Sequence, residues 1–120
     1  MNWFVARIIY QINCGSGNHR PQFDEQLKLI SAEDQEMAFV QASLMGERGQ
    51  DAFANTYGEE VHWKFIGVTE LTRLSGLESG TELFSAIVEV ESAEGYANFI
   101  REKNNDIKSR LVSLTAYPID

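Results

Sequence analysis

The sequence predicts an α+β fold: an antiparallel sheet of four to five strands with two helices on one face, in the order β-β-α-β-β-α-(β). Three observations predict it. Runs starting near positions 3, 22, 61 and 81 alternate apolar and polar side chains, the period of a strand. Two stretches headed by serine and acids, at 31 and 92, carry apolar residues at helical spacing instead. Clusters of Gly, Pro, Asn and Ser punctuate the joins. At 120 residues and 43% hydrophobic, the chain can bury one core without disulfides or structural metal, so residues 1–120 read as a single domain.

The first strand runs from Trp3 to Ile12. Phe4, Ala6, Ile8, Tyr10 and Ile12 line one face, and Trp3, Val5, Arg7, Ile9 and Gln11 the other. Asn13 to Pro21 is turn chemistry, with glycines to supply positive φ. Gln22 to Ile30 alternates again, with Phe23, Glu25, Leu27 and Leu29 assigned inward, so the pair forms a long-looped hairpin. Ser31 is the expected cap of the first helix, Asp34 takes the capping-box position, and Gly46 and Gly49 mark the helix end. Ala38, Ala42 and Met45 recur along that helix.

A loop holding Phe53 and Tyr57 follows. Val61 to Leu71 is the third strand. Thr81 to Glu91 is the fourth, with Phe84, Ala86, Val88 and Val90 on one face. Ser92 caps the second helix, whose stripe is Tyr96, Phe99, Ile100, Lys103 and Ile107. Residues 108–117 read as a fifth strand, with an extension of the helix as the alternative.

Without its first strand the order is β-α-β-β-α-β, the ferredoxin-like arrangement, so the fold is expected to be a ferredoxin-like variant with an extra N-terminal strand. "WFVARI" at 3 echoes "WKFIGV" at 63, and "SAED" at 31 echoes "SAEG" at 92, suggesting a ββα repeat, 1–58 and 59–120. The second face of the first strand is also apolar. A second copy of the chain is its expected cover, giving a homodimer through Trp3, Val5 and Ile9.

The 18 acids outnumber the 10 bases, for a net charge of −8. That balance argues against nucleic acid and anionic membranes as partners and suits a basic protein partner. The apolar N-terminal run is too short to span a bilayer and lacks signal-peptide features, which places the protein in the cytoplasm. One cysteine excludes an internal disulfide.

Candidate chemistry gathers in "NCGSGNHRPQFDEQ", from Asn13 to Gln26. Its glycines lack the GxxxxGK[ST] phosphate motif, and a strand follows them instead of a helix N-terminus. Cys14 and His19 are the right types for a thiolate–imidazole pair, but no orienting third group is visible. His19 and His62 with Asp24 or Glu25 make a weak metal set without ligand spacing, so no metal or other cofactor is expected. Glu25, assigned inward, needs a partner such as Arg7, His62, Lys64 or Trp63.

The segments "WFVARIIYQINCGSGNHRPQFDEQLKLISAED", "VHWKFIGVTEL" and "GTELFSAIVEVESAEGY" together resemble a bacterial family known as domain of unknown function 4288. The resemblance spans about Trp3 to Lys103, and "QFDEQ" and "WKFIGV" are its most distinctive pieces. It implies no activity. It does direct attention to Gly17, Asn18, Gln22, Asp24, Glu25, Gln26 and Trp63, beside His19, as binding residues.

The expected function is a non-catalytic module that binds a protein or a small molecule, an immunity or antitoxin-like protein being one special case. The alternatives are a small enzyme or a ligand sensor with a pocket at the Gly15–Gln26 loop, the enzyme using His19 as acid and Asp24 or Glu25 as base.

Overall fold

The computed structural model describes residues 1–111. Their elements are β1 (Asn2–Cys14), β2 (Gln22–Ala32), α1 (Gln35–Arg48), β3 (Asp51–Ala54), β4 (Glu60–Arg73) and α2 (Ala93–Arg110). Met1–Ser85 is one compact unit, containing the sheet and α1; Ala86–Asp120 is a second, containing α2. No helix among the described residues is long and apolar enough to cross a membrane.

The four strands order β2-β1-β4-β3, every neighbouring pair antiparallel. This is α+β, as the patterning predicts, but it is not the ferredoxin-like order. There, the strands flanking the first helix run parallel with one strand between them. Here β2 and β3 flank α1, run antiparallel to each other and enclose both β1 and β4. The N-terminal strand, expected as an addition, is a central strand. Short β3 was expected as loop, because Phe53 is its sole strong strand former.

Two register shifts, between Arg7/Ile8 and Ile9/Tyr10 on the β1 side, re-phase β4. Strict alternation would aim Gly67 at the helix. The shifts put Val68 opposite Ile8 and Leu71 opposite Ala6, so Trp63, Phe65, Val68 and Leu71 all pack on the core. Trp3 and Trp63, the echoed tryptophans, face opposite sides of the sheet.

One face of β1 is the core, as its period demands: Phe4, Ala6, Ile8 and Tyr10 are buried with Ile30, Ala32, Ala38 and Ala42. α1 lies on this face through small residues four apart, Ala38, Ala42 and Gly46. Gly46, in place of the expected Met45, completes the stripe because the Phe65 ring occupies the space a Cβ would need. The helix starts later than Ser31. β2 continues to Ala32, and Asp34 is the cap, its Oδ1 accepting from the Met37 N–H at 2.8 Å.

The facing of β2 is the main correction. Its register sets Ile30, Lys28, Gln26 and Asp24 opposite Phe4, Ala6, Ile8 and Tyr10, on the α1 side. Phe23, Glu25, Leu27 and Leu29 therefore point to the other face, and the three apolar ones are about half exposed.

Thr81–Glu91, expected as the fourth strand, forms no ladder with any other described residue. Ser92 caps α2 as expected, accepting from the Gly95 N–H at 3.0 Å. Of the strand expected at 108–117, residues 108–110 close the helix and 112–117 lie outside the described residues.

Candidate functional site

On the α1 side, β2 changes character halfway. Ile30 and Ala32 are buried against the helix, whereas Asp24, Gln26 and Lys28 extend the same row as polar side chains. A polar row on the core-facing side of a strand must find partners or stay open to water. Here it does both.

Asp24 Oδ2 accepts two hydrogen bonds, from Gln26 Nε2 at 2.7 Å and from the Trp63 indole N–H at 3.2 Å. Tyr10, opposite Asp24 in the register, donates its hydroxyl to the Gly46 carbonyl of α1 at 2.9 Å. Burial, with the Asp24 carboxylate second, raises the Tyr10 phenol above its ordinary value. Beside this cluster opens a cleft of about 460 Å³, lined by Tyr10, Gln26, Lys28, Met45, Arg48 and Gly49. Its volume suits a small molecule.

The structure thus joins three of the expected binding residues, Asp24, Gln26 and Trp63, and separates the rest. Gln22 is exposed at the start of β2, and Gly17 and Asn18 are exposed at the loop tip. Gly15 and Gly17 have φ of 55° and 83°, the turn role expected of them.

His19 does not pair with the Cys14 thiol. Its Nε2 accepts from the Cys14 backbone N–H at 3.1 Å, and its Nδ1 lies 2.8 Å from the Arg20 carbonyl. Those partners assign the proton to Nδ1 and commit both ring nitrogens to closing the loop. The Cys14 sulfur instead receives Asn55 Nδ2 at 3.5 Å. Asn55 also bonds the backbone N–H groups of Tyr57 and Glu59, which organises the β3–β4 turn.

Glu25 is neither buried nor near Asp24's cluster. On the face away from α1 it pairs with Arg7, Nη1 to Oε1 at 3.3 Å, with its side chain 59% exposed. Arg7 also approaches Glu70 at 3.4 Å and lies under the Phe84 ring, 4.8 Å from its centroid. Trp3, Phe23, Leu27 and Leu29 share this face and are exposed, whereas Val5 is buried.

A second cleft, about 500 Å³, opens where β3 begins, lined by Asn13, Gln50, Asp51, His62 and Lys64 among others. Gln50 Oε1 there accepts the Phe65 N–H at 3.1 Å, replacing a strand partner that β3 is too short to provide. His62 lies 3.4 Å from Glu60. Among the described residues, no three His, Cys, Asp or Glu side chains converge as metal ligands.

Tyr10, Lys28, Arg48 and Gly49 are the site residues the patterning misses. Tyr10 reads as one more core aromatic, and Lys28 as a solvated charge once β2 is faced the wrong way. The available signal is the row Asp24–Gln26–Lys28 itself, polar at period two.

A family model described as "Domain of unknown function (DUF4288)" matches residues 3–85. No curated protein and no solved structure matches the chain.

Proposed function

The chain belongs to the DUF4288 family, whose description assigns no activity, and from its site we propose that it is a non-catalytic module binding a small molecule in the cleft beside the C-terminus of α1. The observation that carries this is Asp24 Oδ2, which ties Gln26 and Trp63 into one hydrogen-bonded set next to that cleft. Such a set fixes side-chain positions before a ligand arrives, which lowers the ordering cost of binding.

The enzymatic alternative has less support. A general acid must offer a free proton within reach of substrate, but both His19 nitrogens are engaged in the loop. Asp24 and Glu25 lie on opposite faces of β2, so they do not converge.

A homodimer over the face away from α1 is a second reading, favoured by the half-exposed row of Phe23, Leu27 and Leu29 beside Trp3. Val5 is already buried and offers little further area, so the expected contact shifts toward this row. Trp3→Asp and Leu27→Asp should then convert a dimer to a monomer in light scattering; an unchanged mass removes this reading.

Thermal denaturation against a metabolite collection tests the main reading. A ligand present at 100 times its Kd adds about 2.7 kcal/mol of stability. At least one compound should raise Tm, and Asp24→Ala should abolish the response while the variant stays folded. A collection in which nothing shifts Tm, together with bare protein by native mass spectrometry after purification from its host, overturns it.

A further inference from the structure

Lys28 and Arg48 enter the same cleft from different elements, β2 and the last turn of α1. Among the described residues neither pairs with a carboxylate, which they share with every lysine and arginine there except Arg7; what sets these two apart is that they line one cleft.

Neutralising the helix end is the obvious task for Arg48, since cations favour a helix C-terminus. That end is already served. The Gly49 N–H bonds the carbonyls of Met45 and Gly46, and the Tyr10 hydroxyl bonds Gly46 as well. Oδ2 of Asp24, the one carboxylate of the polar row, accepts from Gln26 and Trp63, and neither cation forms an ion pair with this side chain.

Resting on the binding reading above, we infer that the ligand is a small oxyanion, a carboxylate or phosphate compound held between Lys28 and Arg48. The guanidinium offers paired N–H donors that match either group, and the ammonium adds a point charge. The net charge of −8 selects for size. It repels a nucleic acid or an anionic membrane over the whole approaching surface, whereas a small anion meets only the local field of the two cations.

The test is ¹⁵N–¹H NMR of the full chain, titrated with sodium phosphate and separately with sodium acetate, at ionic strength held constant with sodium chloride. Saturable shifts are expected at the Lys28 and Gly49 amides, the Arg48 side chain and the Trp63 indole. Lys28→Gln with Arg48→Gln should weaken binding by at least about tenfold, and Lys103→Gln on α2 should leave it unchanged. Response to phosphate alone assigns a phosphate ligand, and response to acetate alone a carboxylate. Shifts reproduced by chloride, or binding indifferent to the Lys28/Arg48 pair, overturn the inference. Neutral fragments that shift these signals while both anions fail would sink the oxyanion and keep the binding cleft. Silence to every probe sinks both.

Discussion

The Trp63 indole on β4 donates to Asp24 Oδ2 on β2, 3.2 Å away, although those strands never pair and β1 lies between them. The bond crosses the face of the central strand beside Tyr10 and fastens an edge strand to the middle of the sheet. It also fixes the rotamer of Asp24, the hub of the polar row.

Trp63→Phe keeps most of the ring and removes this donor. With one of two donors to Asp24 Oδ2 lost, stability should fall by about 1 to 2 kcal/mol in urea denaturation. A double-mutant cycle with Asp24→Asn should give a coupling of about 1 kcal/mol. Strictly additive losses would show that the bond does not hold in solution.

Gly46 offers a test of sign. Helix propensity alone says that Gly46→Ala stabilises by about 1 kcal/mol. Packing says otherwise, because the new Cβ would occupy the position of the Phe65 ring. Overpacking of this kind costs about 1 to 3 kcal/mol, which cancels or exceeds the propensity gain, so a net loss of up to about 2 kcal/mol is expected from thermal or chemical denaturation, and a gain of about 1 would refute the packing. Gly67→Ala, where a Cβ meets open space, is the neutral control.

The same two glycines show what the sequence discloses. Gly46 reads as the helix end, with Met45 on the stripe, yet it is the third of a row of small residues four apart that packs against the sheet. Gly67 breaks an alternating strand, and only the register shifts around it reveal that Val68 faces the core. β1, the start of β4 and the body of α1 were legible because burial on one side enforces their period, and the cap of α2 because a serine stands before its first turn. β2 was not. Its apolar row faces away from α1 and its polar row toward it, so the rule that apolar means inward assigned Leu27, Leu29 and Glu25 to the wrong side. The candidate site was legible in part for the same reason: Asp24, Gln26 and Trp63 stand out in the sequence, while Tyr10 and Lys28 declare themselves only once β2 is faced correctly.

The loop that drew most attention in the sequence makes a separate prediction. His19 bonds the Cys14 backbone and leaves the thiol alone. His19→Ala should speed amide hydrogen exchange at Cys14 by at least about tenfold, the loss of one hydrogen bond of about 1.4 kcal/mol. Iodoacetamide should alkylate Cys14 at similar rates in the parent and the variant after correction for local opening. An alkylation rate that collapses without the imidazole would restore the thiolate–imidazole pair.

Tyr10 links the site to pH. Its phenol is raised from 10.0, first by burial and then by the Asp24 carboxylate, so the folded protein holds this proton more tightly than the unfolded chain. Below pH 10 both states keep the proton, and the contribution of Tyr10 is complete. As pH climbs past 10 the unfolded state ionises first and is favoured, so the contribution shrinks until the folded value is passed. Tyr10→Phe removes this dependence. It also takes one donor from the Gly46 carbonyl, which retains the Gly49 N–H, so a loss of about 1 kcal/mol is expected at neutral pH. Urea denaturation from pH 7 to 11 should therefore show a stability gap between parent and variant that is constant up to about pH 10 and narrows or inverts beyond it. A gap that stays constant to pH 11 would mean that the phenol titrates alike in both states, and that neither burial nor Asp24 acts on it in solution.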